Sequence, residues 1–425
     1  MGDMLFIDVV SVFNGYKTCY YQTFVIGKPS QKQLEVYKKA YDWLFAGINL
    51  IKPGVSTHEV IEAWPTAQEL GLARDGVGKE VTGEAEKVLN AAAERFSFEV
   101  HTQWFDWGCD HYLEKGEMMP EDALETLKKF DAIFLGCIGD AGKVPDHISL
   151  TMLLKIRKGF DQYVNLRPIT LFPGVDTPVK NVGPQTLDMI VIRENTEGEY
   201  CGAGGFHKKG EPDGFATQTA YFTQKGCERV MRYAFDLARK RKKLAGSDKV
   251  GMVTNCTKSN ALNYSMVFWD MVYNQVAVDY PDIKTDMALV DALTMWFLKN
   301  PEYFDVIVAS NLFGDIITDL GAMMQGGMGF AAGGNINPEK DFPSMFEPIH
   351  GSAPKYTGKG IANPIASIES VRMMLDHVGE NNAADAIHQA VATVLASGQV
   401  KTRDMGGNAT THDMGSAVQK AILEA

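Results

Sequence analysis

Val306-Ile-Val-Ala-Ser-Asn-Leu-Phe-Gly-Asp-Ile-Ile-Thr-Asp319 runs from four apolar, mostly β-branched residues straight into a segment that reads as a helix starting near Gly314. The same order recurs along the chain: Ala132-Ile-Phe-Leu-Gly136, Met189-Ile-Val-Ile192 and Val250-Gly-Met-Val253 are short apolar runs, each followed by a helical stretch. Fully apolar strands alternating with helices predict an α/β protein with a mixed, largely parallel sheet covered by helices. In such a sheet, ligands are expected outside the carboxyl ends of the strands. The helix predicted over 79–96 carries Val81, Ala85, Val88, Leu89, Ala92 and Phe96 on one side, and no internal repeat or low-complexity tract interrupts the pattern.

Upstream of about residue 76 the pattern differs. Leu5-Phe6-Ile7 and Val9-Val10 are strand-like, Asn14-Gly15 is a strong turn dipeptide, and Cys19 to Ile26 is rich in aromatic and β-branched residues, which predicts a hairpin over 5–26. Leu34, Tyr37, Tyr41, Leu44, Phe45 and Ile48 then repeat at helical spacing as far as Lys52-Pro53-Gly54. Ser56-Thr57 caps a second predicted helix running to about Leu70-Gly71.

The 425 residues imply two or three domains or one large α/β enzyme, and 45% hydrophobic against 22% charged residues is enough to bury a core. With 53 acidic and 41 basic residues the formal charge is −12, which argues against nucleic acid or an anionic membrane as the main partner. An anionic ligand must then be held by a local basic cluster. Six scattered cysteines, none in a C-x-x-C pair, indicate neither a disulfide framework nor a cysteine zinc site. The N-terminus lacks a basic leader region and no apolar run reaches membrane-spanning length, so a cytoplasmic enzyme is expected.

Asp315 and Asp319, four apart on a helix, project from one face and form a hard-cation pair, with Asp270 a third candidate ligand for Mg²⁺ or Mn²⁺. The same two acids would also serve as ordinary helix-dipole partners. Arg157, Arg167 and Arg193 lie close in sequence, and the last two follow strand-like residues. Three guanidinium forks suit a di- or tricarboxylate, whereas each alone reads equally as an ion-pair partner. Tyr200 follows a polar turn and Lys258 follows the strand 250–253, positions from which a proton donor and a base could act if a cation lowers their pKa. His350-Gly-Ser-Ala-Pro354 is a small-residue loop suited to close approach by a phosphate or ribose, although it is not the G-x-G-x-x-G fingerprint.

Taken in order, these strings resemble the metal-dependent β-decarboxylating dehydrogenases, which include isocitrate, isopropylmalate, homoisocitrate, tartrate and D-malate dehydrogenases. The likeness begins at Asp75-Gly-Val-Gly-Lys-Glu80. Val144-Pro-Asp-His147-Ile-Ser149-Leu150, Phe160-Asp-Gln-Tyr-Val-Asn-Leu-Arg-Pro168 and Gly406-Gly-Asn-Ala-Thr-Thr411 resemble the tartrate and D-malate branch. The resemblance implies an isopropylmalate dehydrogenase-like two-domain fold, with a large domain over about 74–178 and 310–425 and a small dimerising domain over about 179–309. It also implies a homodimer in which Lys258 and Asp270 reach into the partner's active site.

By the same resemblance, Arg157, Arg167 and Arg193, with Ser149 and His147, would hold a 2-hydroxy dicarboxylic acid. Asp315, Asp319 and the partner's Asp270 would bind Mg²⁺ or Mn²⁺, and K⁺ is a further cofactor of such enzymes. Lys258 would act as base and Tyr200 would return a proton. Glu347, His350, Gly351, Ser352, Ala353, Lys355, Tyr356 and Asn363 would surround a nicotinamide cofactor. The branch implies NAD, but Lys355-Tyr356 stands where NAD-dependent members carry an acid and resembles NADP-dependent isocitrate dehydrogenases, so NADP stays open.

Residues 1–73 resemble part of a creatinase/aminopeptidase P (pita-bread) domain, an N-terminal α+β fragment. Asp8 matches its first metal ligand, but Cys19 stands where a second carboxylate is expected and the later ligands have no counterpart, so no hydrolase or lyase chemistry is expected there. The strand that dehydrogenase relatives place before Gly-Asp-Gly-Ile-Gly is replaced by Gly71-Leu-Ala-Arg74, with residues 5–11 or 66–73 as substitutes. Two readings of different class follow: an oxidoreductase of tartrate or D-malate type, with isopropylmalate- or isocitrate-type substrates as alternatives, or a catalytically silent fusion protein with a damaged nucleotide domain.

Overall fold

The computed structural model describes residues 75–140, 142–244 and 251–424, the strands Asp3–Phe13 and Tyr16–Ile26, and scattered positions between 31 and 52. The chain divides into Met1–Leu72 and Ala73–Ala425. In the first unit, β1 (Asp3–Phe13) and β2 (Tyr16–Ile26) pair antiparallel from Asp3↔Ile26 to Phe13↔Tyr16, the hairpin that the sequence predicts. The turn dipeptide itself, Leu34, Tyr37, Leu44 and the helix predicted after Ser56 lie outside the described residues. Tyr41, Phe45 and Ile48 are helical, and the Tyr41 and Phe45 rings are 4.4 Å apart.

In the second unit the strands are β3 (Ala132–Phe134), β4 (Val164–Thr170), β5 (Asp188–Glu194), β6 (Gly198–His207), β7 (Phe215–Tyr221), β8 (Met252–Thr257), β9 (Lys284–Leu289), β10 (Val306–Ala309), β11 (Ala332–Ile336) and β12 (Ser344–Pro348). The helices are α1 (Gly78–Phe96), α2 (Cys109–Lys115), α3 (Ala123–Leu127), α4 (Asp146–Gly159), α5 (Gln224–Leu244) and α6 (Ser265–Ala277). They continue with α7 (Val290–Lys299), α8 (Asn311–Met324), α9 (Ile365–Val378), α10 (Asn381–Ser397) and α11 (Thr411–Glu424). One eight-stranded sheet has the order β3-β12-β11-β4-β5-β10-β8-β9, and β6 and β7 form a separate hairpin. Pairings are parallel at β3·β12, β5·β10, β10·β8 and β8·β9, and antiparallel at β12·β11, β11·β4 and β4·β5. The sheet is thus mixed, with its three reversals together in the middle.

Helices cover both faces, which is why β10 is apolar throughout. Val306 and Val308 of β10 pack with Val230, Phe235, Trp269 and Val276 from α5 and α6. Ile307 and Ala309 turn the other way, toward Leu293, Phe297, Ile317 and Met324 from α7 and α8. A third cluster joins α1, α9, α10 and α11 through residues such as Val88, Ile368, Val391 and Val418. No helix among the described residues is long and apolar enough to cross a membrane.

The expected loss of a first strand has a structural counterpart. β3 is three residues long and, among the described residues, pairs with β12 alone. Residues 5–11 do not fill in for the strand, because they are paired within the β1–β2 hairpin, and 66–73 lie outside the described residues. A cleft of about 970 Å³ opens beside β3, lined by Phe98, Phe105, Trp107, Ile133, Phe134 and Leu135 among others.

Phe235 is fully buried, with its ring 5.5 Å from that of Tyr273 and 4.9 Å from that of Tyr280. Phe235→Ala is expected to lower stability by about 3–5 kcal/mol, read from the urea midpoint of the full chain, because this site is walled by sheet and helix and cannot collapse onto the void.

Candidate active site

Helix α8 begins at Asn311, three residues before the predicted start, so Asn311, Asp315 and Asp319 recur every four residues on one face. Residue 314 is glycine for a steric reason: a Cβ there would stand 2.5 Å from the side chain of Arg193. Arg193 lies at the end of β5, directly across from Asn165 at the start of the antiparallel neighbour β4, and Arg167 follows two residues later on the same strand face. The β4–β5 ladder therefore brings two of the three candidate arginines to the N-terminal turns of α8.

Arg157, Arg167 and Arg193 are 5%, 6% and 2% exposed. Arg193 pairs with Asp315 through Nη1 and donates from Nε (3.2 Å) and Nη2 (2.8 Å) to Asn311 Oδ1. Arg167 donates from Nε to Asn165 Oδ1 (2.6 Å) and from Nη1 to Thr318 Oγ1 (2.5 Å), and its Nη2 stands 3.5 Å from Asp315. Arg157, on α4, donates from Nη2 to Glu347 Oε1 at 2.8 Å, while its buried Nε–H has no partner among the described residues. A buried donor without an acceptor, among cations, is what a carboxylate ligand would satisfy.

Burial lowers the pKa of Arg167, and burial together with Arg167 pushes Arg193 down to about 9, so Arg193 remains a cation at neutral pH. Burial raises the Asp315 carboxyl, but Arg193 and Arg167 outweigh it and hold the group below its ordinary value. Asp319 moves the other way, raised by burial and by the Asp315 charge. Tyr200, in β6, donates its hydroxyl to Asp315 Oδ2 at 3.1 Å. Burial and Asp315 push its pKa up rather than down, which makes it a held proton rather than a phenolate.

Asp270 lies on α6, where Oδ1 accepts from Asn255 Nδ2 at 2.8 Å and Asn255 Oδ1 in turn accepts from Trp269 Nε1 at 2.7 Å. Lys258 donates to Asp291 at 2.8 Å. Among the described residues of one chain, no three His, Cys, Asp or Glu side chains converge on a metal position, so Asp270 does not join Asp315 and Asp319 within the chain. The two acids of α8 are hard oxygen donors that fit a divalent cation only in part, and completion requires ligands from elsewhere. On α4, Ser149 is buried while His147 is exposed; residues two apart on a helix face apart, so these two are not brought to one point.

The loop after β12 is built for close approach. Gly76 adopts φ +67°, and a Cβ there would meet the Ser352 carbonyl oxygen at 1.8 Å, while Val77 N–H donates to that same oxygen at 2.8 Å. Asp75 secures the neighbouring turns by accepting from the backbone N–H groups of Cys109 and Gly139, each at 3.1 Å. His350 Nδ1 lies 3.1 Å from the Gly351 carbonyl and 3.2 Å from Cys137 Sγ, so Nδ1 carries the proton that the carbonyl accepts. Burial keeps the ring neutral, which leaves Nε2 a buried acceptor with no partner, a fit for a ribose hydroxyl. Glu347 is engaged by Arg157 and Asn335, and Asn363 donates to Asp404 at 3.0 Å. Lys355 and Lys359 both approach the ring of Tyr356, at 4.8 and 5.8 Å.

Asn311, Asn165, Thr318, Asn335, Asn255 and Lys359 went unmarked in the sequence reading. The first three sit inside quoted motifs; Asn335 gains meaning only from partners far away in sequence, and Asn255 and Lys359 only from partners that the fold brings against them.

Residues 71–418 match the isocitrate/isopropylmalate dehydrogenase family, and residues 1–100 match metallopeptidase family M24. The chain is 49% identical over 346 residues to a probable tartrate dehydrogenase/decarboxylase of Bacillus subtilis, covering 80% of this chain and 93% of that protein. It is 48% identical over 356 residues to the decarboxylating D-malate dehydrogenase of Escherichia coli, covering 82% and 96%. The crystal structure of isocitrate dehydrogenase from Methylococcus capsulatus superposes with a TM-score of 0.73 at 34% identity, covering 82% of this chain and 97% of that one.

The depressed Asp315 carboxyl has a consequence for stability. Its contribution is fully present above the ordinary aspartate value of about 4 and is lost as pH falls through the lower value of the folded state. Asp315→Asn should therefore flatten the acid limb of a melting-temperature profile, and a limb identical to that of the parent would refute the pairing.

Proposed function

The chain belongs to the isocitrate/isopropylmalate dehydrogenase family, and from that premise we propose that it oxidises, with decarboxylation, a 2-hydroxy dicarboxylic acid of the tartrate or D-malate type. The observation that carries this reading is a set of three buried guanidiniums: Arg167 and Arg193 at the first turns of α8, and Arg157 on α4, whose buried Nε–H has no partner among the described residues. Three cations at fixed angles suit two carboxylates, and the hydroxyl between them then falls near Asp315 and Tyr200.

Charge supports a metal requirement. The three arginines are matched by Asp315, Asp319 and Glu347, so a dianion entering alone would leave two uncompensated charges in a buried site. When bound, a divalent cation would polarise the substrate's hydroxyl oxygen, and a nicotinamide cofactor would accept the hydride. Asp315 and Asp319, with the partner's Asp270, would hold the metal, and K⁺ would be a further requirement. Lys258, from the partner, would take the hydroxyl proton. Tyr200 would deliver its proton to the carbon left by departing carbon dioxide, and its raised pKa keeps that proton in place at neutral pH until then. The neutral His350 would accept from a ribose hydroxyl, and the Lys355–Tyr356–Lys359 group keeps NADP open beside NAD.

A homodimer would complete the carboxylate set and cover an exposed apolar surface formed by Tyr264, Met271, Val278, Met287, Met295 and Trp296 on and around α6, β9 and α7. Light scattering is expected to give about twice the 46.8 kDa chain mass.

Purified full-length protein with Mn²⁺ and K⁺, given D-malate or the tartrates and NAD or NADP in separate wells, is expected to form reduced nicotinamide, and EDTA is expected to abolish it. Lys258→Ala and Tyr200→Phe should each cut turnover by about 100- to 10,000-fold while preserving the circular dichroism spectrum. Lys355→Asp should lower the NADP-to-NAD ratio of kcat/KM; an unmoved ratio would mean that the lysine faces solvent.

A further inference from the structure

Beneath the arginines, polar side chains from three strands and a helix form one unbroken run of hydrogen bonds. Arg167 Nε donates to Asn165 Oδ1 (2.6 Å), and Asn165 Nδ2 donates to Asn335 Oδ1 (2.7 Å). Asn335 Nδ2 donates to Glu347 Oε1 (2.8 Å), and that oxygen also accepts from Arg157 Nη2 (2.8 Å). Asn195 Nδ2 makes a second bond to Asn335 Oδ1, at 2.9 Å. Asn165 and Asn335 are fully excluded from solvent and Asn195 nearly so.

Asn335 sits at the middle of the run, accepting through Oδ1 from Asn165 and Asn195 and donating through Nδ2 to Glu347. Its position is fixed by the sheet, in register with Asn165 on β4 and with Met345 on β12. Its amide orientation is fixed by its partners, since exchanging O and N would oppose three donors or acceptors to groups of the same kind. The run therefore has no slack: the Arg167 end and the Arg157 end are joined by short bonds through a dry interior, where each bond is stronger than it would be in water.

We infer that Asn335 is a positioning residue that sets the separation of the Arg157 and Arg167 guanidiniums, and through it the length of diacid that the pocket prefers. This rests on the reading that those arginines hold the substrate carboxylates. Asn335 touches neither substrate nor cofactor in that reading; it acts through Asn165 and Glu347. Asn335→Asp keeps the side-chain shape but replaces the donor facing Glu347 with an acceptor, so the two carboxylates repel and the Arg157 end moves relative to the Arg167 end.

The test compares full-length parent and Asn335→Asp in steady-state turnover of D-malate and of the 2-hydroxy diacid one methylene longer, with the nicotinamide cofactor varied separately. The inference expects the D-malate KM to rise by about tenfold, the preference between the two diacids to shift by a similar factor, and the cofactor KM to hold. Calorimetric titration of D-malate without cofactor should show the same loss of affinity. If Asn335→Asp fails to fold, Asn335→Ser, which keeps a hydroxyl donor in place, takes the same measurements. A purely structural residue would lower the melting temperature and leave the diacid preference at the parent value, and that outcome would overturn the inference. No turnover of any 2-hydroxy diacid by the parent would overturn the pocket reading and this inference together, whereas parent turnover with unmoved selectivity in the variant would overturn this inference alone.

Discussion

Three guanidinium groups, those of Arg157, Arg167 and Arg193, are buried, and a buried charge is tolerated only when it is paired and hydrogen-bonded. Much of the architecture around them answers that demand. Asp315 takes Arg193 and Arg167, Asn311 takes two further donors of Arg193, Thr318 and Asn165 complete Arg167, and Glu347 takes Arg157. For these partners to meet, α8 must start at Asn311, residue 314 must lack a side chain, and β4 must run antiparallel to β5. The reversal of direction in the middle of the sheet is therefore tied to the chemistry: it sets the start of one strand beside the end of the next, so that Arg167 and Arg193 approach the same helix terminus.

Much of this frame was legible in the sequence. The four apolar runs correspond to β3, β5, β8 and β10, and the fold class follows from them, although β5 leads into the β6–β7 hairpin rather than directly into the expected helix. Strands β6, β9 and β11 gave no such signal. Gly198–His207 and Ala332–Ile336 are interrupted by glycines, and Lys284–Leu289 opens with three polar residues, Lys-Thr-Asp, at a largely solvent-facing edge. The arginines and the acids of α8 stood out because charge beside apolar residues is conspicuous. The asparagines that orient them did not: Asn335 and Asn165 are 170 residues apart and become partners only through strand register, which no local pattern encodes. Asp270 illustrates a different limit, since its place in the proposed site depends on a second chain.

The loop from His350 to Tyr356 shows how backbone crowding and side-chain chemistry combine. Gly76 and Ser352 approach so closely that only glycine fits, which fixes where the loop can lie. The imidazole behind it is held neutral with one nitrogen committed and the other unused. Preorganisation of this sort lowers the entropy lost when a ligand is captured. In the N-terminal hairpin, Asp8 is registered with Tyr21 and Cys19 with Val10.

The sheet ends in two strands of unlike length, three residues in β3 and six in β9. A bare strand rim is a template on which a foreign chain can add, and the length of the rim governs how many bonds the intruder gains. At β3 the template is too short to reward such an addition. At β9 the ladder is longer, but it carries Lys284 and Asp286, and a stranger's strand must accommodate both charges. A net charge of −12 adds a long-range repulsion between copies of the chain, which works against unspecific stacking of one sheet on another.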